Sequence, residues 1–302
     1  MTRGRSSRTT AADESISLYH YTSVDVLEKI TERKEIWASS VHYLNDGREF
    51  AHALELFGSA LERALQTNPP CTEYLNKVRE QLRQNAWRDV FVVSFSEHGD
   101  LLSQWRAYCP AGRGVSIGLR QKDLHVAAAA RGFRLVRCKY ALISQRDAAS
   151  RIVRTWTNEL DSICSPSIVS SHAVGADTDP EFDIDREYTG DDLVRMFAIE
   201  FANVGPQMKD PAFAEEREWR LVGLPSEFNK LEVRYRPGAS YLVPYIRFPL
   251  PVTEDGRLKL SDLVLGPTPH ADLSRRAIIN LLASRAVEVG RVRGTTVPFR
   301  TW

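Results

Sequence analysis

The chain has 302 residues, 43% of them hydrophobic and 26% charged, so it is long enough to bury one large core or two small ones. Its 40 Lys and Arg residues against 39 Asp and Glu residues leave a formal net charge of +1, which excludes a strongly basic nucleic-acid coat or a polyacidic tail as the dominant theme. No apolar run approaches the ~18–20 residues that span a bilayer, and no secretory signal is predicted, so we expect a cytoplasmic protein without a membrane partner.

Four cysteines are spread over the chain, at positions 71, 109, 138 and 164, and none of them belongs to a C-x-x-C pair. A zinc ribbon or finger needs paired close ligands, and the seven histidines do not pair at ligand spacing either. We therefore expect reduced thiols and no bound metal.

The N-terminal third combines short strands with amphipathic helices. Residues 1–15 are polar and without periodicity, which predicts a disordered tail. A strand is predicted at 17–21 and another at 35–39, with a short helix between them. Apolar residues then recur three and four positions apart in two successive segments, which predicts an inserted helical hairpin over residues 49–88.

The middle of the chain begins with the apolar run 90–96, which is typical of a central strand. Further elements are predicted in this order: a short helix or a loop at 101–108, strands at 115–119 and 133–140, and a helix at 145–163. The stretch 165–192 is rich in Ser, Gly and Asp, and this composition predicts an acidic surface loop.

The C-terminal part is predicted to consist mainly of strands. The expected elements are a helix at 193–203, strands at 218–222, 231–235, 245–248 and 263–265, a helix at 272–287 and a closing strand at 297–300. Hairpin-like strand pairs favour a single α+β domain over 16–302, with a split, largely antiparallel β-sheet.

Common catalytic and nucleotide-binding motifs are missing from the sequence: there is no P-loop, no dinucleotide fingerprint, no G-x-S-x-G and no H-E-x-x-H. Three other groups of residues are candidates for chemistry. The first is the run from Tyr19 to Thr22, where a strand directs His20 and Thr22 to one face and both tyrosines to the other. His20 and Thr22 could hydrogen-bond a ribose or an amide; alternatively, the tyrosines are core residues and His20 is satisfied by a backbone carbonyl.

The second group starts at the end of the strand containing Ser96 and continues to Trp105 and Arg106. An aromatic face next to a guanidinium suits a planar or phosphorylated ligand. The alternative is a packing corner anchored by the tryptophan, with an Arg–carboxylate pair.

The third group is the acidic run before a predicted strand, from Phe213 to Arg220. In an extended segment Glu216 and Glu218 share one face. Two carboxylates at such a short distance raise each other's pKa. One carboxyl group would then suit an acid and the other an anion. The alternative is a solvated charged face.

Taken together, these blocks resemble a bacterial family of uncharacterised domains. The shared motifs are Y-H-Y-T, W-x-S followed by L-N-D and E, S-F-S-E, W-R-A-Y, and E-E-R-E-W-R. In this chain the second motif consists of Trp37, Ser39, the run 44–46 and Glu49. The matches extend from about residue 17 to the C-terminus, so the resemblance covers nearly the whole chain.

The layout of that family is similar to the ADP-ribosyltransferase superfamily, which implies a split sheet of ADP-ribosyltransferase-like type and NAD as the substrate. The resemblance implies that His20 and Thr22 hold the ribose, that Ser39 or Ser40 flanks the nicotinamide, and that Glu218 is catalytic. Glu216 would complete an E-x-E pair. The candidate catalytic residues are Glu218, Glu216 and His20, and the candidate cofactor-binding residues are Tyr21, Thr22, Trp37, Ser39, Ser40, Asn45, Ser96, Trp105 and Arg106.

The function expected from this resemblance is an NAD-consuming ADP-ribosyltransferase or NAD glycohydrolase, acting as a toxin or phage-defence effector. Its acceptor would be protein, nucleic acid or water. Two alternatives stay open: a non-catalytic domain whose Trp105–Arg106 pocket senses a nucleotide or a phage component, and a metal-independent nuclease using His20 with the carboxylates. The chain departs from the superfamily in lacking an S-T-S triplet; Ala38–Ser40 is the nearest run.

Overall fold

The computed structural model describes residues 16–44, 48–83, 90–164, 189–224, 232–238 and 240–298. They form two compact units. The sheet unit takes in the described residues of Met1–Asn45, Asp89–Cys138 and Ala212–Trp302, and the helical unit those of Asp46–Arg88 and Lys139–Pro211. The predicted tail at 1–15, the predicted site residue Asn45 and most of the predicted acidic loop lie outside the described residues.

Helices and strands both occur throughout the described residues. The elements are β1 (Ser17–Ser23), α1 (Val24–Arg33), β2 (Glu35–Ser40), α2 (Arg48–Leu65), α3 (Thr72–Arg83), β3 (Phe91–Ser96), α4 (Leu102–Tyr108), β4 (Gly114–Arg120), α5 (Gln121–Ala129), β5 (Phe133–Arg137), α6 (Leu142–Cys164), α7 (Gly190–Val204), β6 (Glu218–Gly223), β7 (Arg234–Pro237), β8 (Leu242–Pro249), β9 (Lys259–Leu260), β10 (Asp262–Leu265), α8 (Ala271–Ser284), β11 (Glu288–Val289) and β12 (Val292–Gly294). Short 3₁₀ helices occur at Val41–Tyr43, Gly205–Gln207 and Pro211–Glu216.

Ten of the described strands form one sheet in the order β12-β10-β4-β1-β3-β2-β8-β7, with β6 pairing with both β3 and β5. Every pair except β10–β12 is antiparallel. The predicted combination of α and β elements with a largely antiparallel sheet is therefore confirmed, whereas its ADP-ribosyltransferase-like type stays a prediction.

Three local predictions differ from the structure. The closing strand was expected at 297–300, but Val297 and Pro298 belong to no strand, and β12 forms the sheet edge instead. Helix α5 was not predicted, since only Leu124 and Ala128 of its residues are buried and its apolar pattern is weak. The predicted loop ends inside α7, whose N-terminus is fixed by a capping box between Thr189 and Asp192.

Strands β1 and β2 share one edge of β3, and this sharing opens a gap in the sheet. Tyr19 of β1 lies opposite Ser96, and Ser39 of β2 lies opposite Val92, while β6 takes the other edge of β3 along its whole length. If both registers continued, Tyr21 and Trp37 would each lie opposite Ser94. Two strands cannot occupy one position, so β1 and β2 diverge there.

One face of the sheet carries the hydrophobic core, as expected from the period-2 alternation of strands. The strands contribute buried side chains that include Leu18, Ile36, Val93, Phe95, Ile117 and Leu263. Helices α1, α5 and α8 cover this face with Leu27, Ile30, Leu124, Ile278 and Leu282. The core therefore fixes the orientation of α1, which contributes to the site described below.

Helix α1 is short and capped at both ends. The Ser23 side chain accepts a hydrogen bond from the Val26 amide, and Asp25 lies in the first turn, where it complements the helix dipole. At the other end Lys34 takes a left-handed conformation with φ 55°, and its amide donates to the Ile30 carbonyl. The sharp reversal at Lys34 leads the chain directly into β2.

The helical unit has a core of its own. The rings of Phe197 and Phe201 contact Phe57 edge to face, at centroid distances of 6.2 and 4.8 Å. A buried Gln145 joins three segments: its amide nitrogen donates to the carbonyls of Lys139 and Lys209, and its Oε1 lies 2.8 Å from His52 Nε2. Within the described ranges, no helix has the length and apolar character needed to cross a membrane.

The tight packing of β6 gives a test of the sheet unit. A methyl group added at Gly223 would overlap the ring of buried Phe133, whereas at Gly294 it would meet no atom within 4 Å. We expect Gly223→Ala to lower the free energy of unfolding by about 1–3 kcal/mol through overpacking. Gly294→Ala should stay within about 0.5 kcal/mol of the parent. Urea unfolding of both variants measures the difference, and equal effects would contradict the packing described for β6.

Candidate functional site

A cavity of about 300 Å³ lies where β1 and β2 diverge, and we call it the gap pocket. Strand β1 contributes His20 and Thr22, and β2 contributes Trp37 and Ser39. The registers direct His20 toward the core face of the sheet and Ser39 toward the opposite face. The gap therefore brings together side chains that an unbroken sheet would keep apart.

His20 is hydrogen-bonded to the backbone of β3, the strand whose edge β1 and β2 share. Its Nδ1 lies 3.0 Å from the Ser94 carbonyl oxygen, and its ring contacts Phe95 edge to face. Because a carbonyl only accepts hydrogen bonds, Nδ1 carries the proton and Nε2 of the neutral ring is an acceptor. Burial lowers the pKa of His20 below its ordinary value, which keeps the ring neutral at pH 7.

The two tyrosines of β1 lie on the opposite face of the strand from His20, and neither lines the gap pocket. The Tyr19 hydroxyl donates to Asp262, and the Tyr21 hydroxyl donates to the His98 carbonyl. Tyr21 also packs edge to face on Trp105 at a centroid distance of 4.7 Å. Tyr21, predicted to bind a cofactor, is thus placed in a small core cluster outside the pocket.

Strand β2 provides an aromatic wall and a hydroxyl group. The Trp37 ring stacks on Tyr245 of β8 at a centroid distance of 4.2 Å, which fixes its plane. The Ser39 hydroxyl accepts a hydrogen bond from Arg236 Nη2 at 3.4 Å. The neighbouring Ser40 is fully buried and does not line the pocket.

The charged residues of the gap pocket were missed by the sequence analysis. Lys29 and Arg33 lie one turn apart on α1, where residues at i and i+4 share a face, and Arg236 comes from β7. Among the described residues, neither Lys29 nor Arg33 forms an ion pair. The pocket is thus lined by three cationic side chains and one acidic side chain, that of Glu35. The resulting positive potential suits an anionic ligand.

Glu218, the predicted catalytic carboxylate, forms a buried ion pair on β6. Its Oε1 accepts from Arg220 Nε at 2.7 Å and its Oε2 from Arg220 Nη2 at 3.0 Å, and both side chains are at most 5% exposed. It lies opposite Ser96 and does not line the gap pocket. The structure therefore brings His20 and Ser39 together but not Glu218 with them.

The prediction of an extended segment around Glu216 and Glu218 is wrong. Glu216 ends the 3₁₀ helix Pro211–Glu216, and Arg217 between the two acids has a left-handed φ of 42°. The alternation of a strand therefore does not apply to this pair. Arg217 instead lies 3.8 Å from Glu97.

The remaining predicted site residues have mainly packing contacts. The Ser96 hydroxyl donates to the Glu216 carbonyl and accepts from the His98 amide. Trp105 is 2% exposed and donates through Nε1 to Asp100, so little of its ring is accessible. Arg106 is exposed, and the two residues together line part of a second cavity of about 250 Å³.

Comparison with known proteins gives one match. Residues 104–221 match the family described as Protein of unknown function (DUF2971). No curated protein and no solved structure matches the chain. The match supports the resemblance to a family of uncharacterised domains. It includes Trp105, Arg106, Glu216 and Glu218, whereas the residues that line the gap pocket lie outside the matched segment.

The lowered pKa of His20 gives stability a pH dependence. Between the lowered pKa of folded His20 and 6.5, the unfolded chain binds a proton at this residue and the folded chain does not. As the pH falls through this window, the free energy of unfolding falls by up to about 1.4 kcal/mol per pH unit. His20→Asn keeps a donor near the Ser94 carbonyl and should remove this slope, whereas His125→Gln at an exposed position of α5 should retain it. Urea unfolding at several pH values measures both, and an unchanged slope in His20→Asn would contradict the assignment.

The exposed ion pair between Asp255 and Arg257 has the same separation in sequence as the buried pair between Glu218 and Arg220. Arg257 Nε also lies 2.7 Å from a carboxylate two residues earlier, Asp255, but both side chains are at least 45% exposed. We expect Arg220→Leu to cost about 3–5 kcal/mol of unfolding free energy, because it leaves a buried charge uncompensated. Arg257→Leu should cost less than about 1 kcal/mol.

Replacing both members of the buried pair by leucine should restore part of the loss, since the two opposite charges are then removed together. Chemical unfolding of the two single variants and the double variant decides the matter. A cost for Arg220→Leu no larger than that for Arg257→Leu would show that the pair is not structural.

Proposed function

We propose that the protein binds NAD in the gap pocket and cleaves its nicotinamide–ribose bond, as an ADP-ribosyltransferase-like enzyme. The observation that carries this proposal is the meeting of His20 and Thr22 from β1 with Trp37 and Ser39 from β2 in one cavity. The resemblance implies a ribose site on the first strand and a nicotinamide site on the second. The gap in the sheet supplies the space between them.

The uncharged groups of the pocket fit the sugar and the ring of such a ligand. The neutral His20 ring can accept a hydrogen bond from a ribose hydroxyl through Nε2, and the Thr22 hydroxyl can donate or accept one. Trp37, whose plane is fixed by Tyr245, offers an aromatic surface beside the Ser39 hydroxyl. A planar, weakly polar ring such as nicotinamide suits this surface.

The cations of the pocket fit the pyrophosphate. Lys29 and Arg33 project from one face of α1, and Arg236 approaches from β7. Guanidinium groups bind phosphate oxygens through two parallel hydrogen bonds, and lysine adds a point charge. An uncharged nucleoside would leave these cations without a counterion, so the charge favours a phosphorylated ligand.

The chemistry requires stabilisation of positive charge. When the bond between ribose C1′ and the nicotinamide nitrogen breaks, its electron pair leaves with nicotinamide and the ribose becomes an oxocarbenium-like cation. A carboxylate stabilises this state more than the neutral sugar of the ground state, as catalysis requires. Water, a protein or a nucleic acid would then attack C1′, and growth arrest of a bacterial host on expression would accord with a toxin or defence effector.

A second candidate function is non-catalytic binding of the same class of nucleotide. The observation that favours it is the position of Glu218, whose carboxylate is occupied by Arg220 and does not line the gap pocket. A binding domain is stabilised by its ligand but leaves it intact. Incubation with NAD, followed by mass spectrometry for free nicotinamide, separates the two: release supports the enzyme, and thermal stabilisation without release supports the binding domain.

The cations give a prediction that holds for both functions. We expect Lys29→Ala and Arg33→Ala each to weaken NAD binding about fivefold, equivalent to about 1 kcal/mol, with an effect that shrinks at high salt. Arg131→Ala removes an exposed cation that does not line the pocket and should leave the affinity unchanged. Calorimetric titration with NAD measures all three. Equal affinities for the parent and the two pocket variants would place the phosphate elsewhere.

A further inference from the structure

Glu35 is the acidic residue that lines the gap pocket. It is the first residue of β2 and lies two positions before Trp37, so the strand directs both side chains to the same face. Its side chain is 14% exposed, which leaves a carboxylate oxygen accessible to a molecule in the cavity. No role was predicted for this residue from the sequence.

The contacts of Glu35 hold it in place but occupy only one of its oxygens. Trp37 Nε1 donates to Oε1 at 3.3 Å, and Arg247 Nε lies 3.3 Å from the same atom. Within the described part of the chain, no hydrogen bond reaches Oε2. Arg247 is opposite Trp37 in the β2–β8 pair, so the sheet places this guanidinium on the same face as the carboxylate.

Glu218 also has an arginine partner, but it differs from Glu35 in the number of oxygens engaged and in its position. Both oxygens of Glu218 accept hydrogen bonds from Arg220, and the negative charge is neutralised within the pair. It lines no part of the gap pocket. A carboxylate so engaged has little capacity left to stabilise a cation forming on a ligand.

We propose that Glu35, and not Glu218, is the catalytic carboxylate of the gap pocket. This assignment rests on the proposed NAD cleavage. The bond from ribose C1′ to the nicotinamide nitrogen breaks, the electron pair leaves with nicotinamide, and the Glu35 carboxylate stabilises the cation at C1′. A nucleophile such as water then forms the new C1′–O bond and gives its proton to the carboxylate or to solvent. With water, the products are ADP-ribose, nicotinamide and one proton.

Trp37 and Arg247 act on this reaction as positioning residues. Their shared contact with Oε1 holds the carboxylate and leaves Oε2 without a hydrogen bond from the described residues, and the stacking of Trp37 on Tyr245 keeps the donor fixed. A carboxylate held in advance needs no reorganisation as the charge develops, and such preorganisation accounts for much of electrostatic catalysis.

The test compares three isosteric variants of the full chain: Glu35→Gln, Glu218→Gln and Glu32→Gln. Glu32 is an exposed carboxylate of α1 outside the pocket and is the matched control. Three quantities are measured for each variant: the rate of nicotinamide release, the NAD dissociation constant and the unfolding midpoint. We expect Glu35→Gln to lower the rate about 100-fold to 1,000-fold. Its NAD affinity should stay within about twofold of the parent, because the carboxylate acts on the transition state.

The outcomes separate this assignment from the function on which it rests. Release by the parent that persists in Glu35→Gln, or is lost in Glu218→Gln at unchanged stability, would overturn the role of Glu35 while leaving NAD cleavage in place. Binding of NAD without release by the parent would overturn the proposed enzyme, and the assignment with it. Glu32→Gln should match the parent in all three measurements.

Discussion

The candidate site depends on the hydrogen bond between His20 and the Ser94 carbonyl, which forms where β1 and β2 diverge. Strand β3 pairs with β6 along one whole edge. Strands β1 and β2 both pair with its other edge, and they diverge at Ser94. A backbone carbonyl left without a partner in such surroundings costs about 1–3 kcal/mol. The imidazole offsets this cost without closing the sheet. A cavity can therefore exist in the middle of a sheet whose other strands pair continuously.

Charge is distributed in two different ways within the sheet unit. Where acidic and basic groups are buried, as at Glu218 and Arg220, they neutralise one another and add to the structure. Around the gap pocket the cations Lys29 and Arg33 have no such partner among the residues that the structure describes. The net charge of +1 thus conceals a local excess of positive charge beside the one carboxylate of the pocket, Glu35.

Much of the fold was predictable because the spacing of apolar residues along the sequence indicates whether a segment is a strand or a helix. The alternation of β1 correctly separated His20 from Tyr21. Pairing registers are set by contacts between distant segments, so the gap at Ser94 and the approach of Arg236 to Ser39 were not predictable. The acidic run misled for a local reason: the left-handed Arg217 ends the alternation that an extended segment would have had.

The interruption of the sheet at Ser94 also has a consequence for hydrogen exchange. In an antiparallel strand the amide and the carbonyl of one residue project to the same side. The Ser94 amide therefore faces the gap along with the carbonyl that His20 engages, beyond the last paired residues of β1 and β2 on that edge. Its proton lies on the edge that neither β1 nor β2 pairs at this position, while the amides of Val93 and Phe95 project toward β6. The exchange rate of this single proton reports whether the gap is empty or filled.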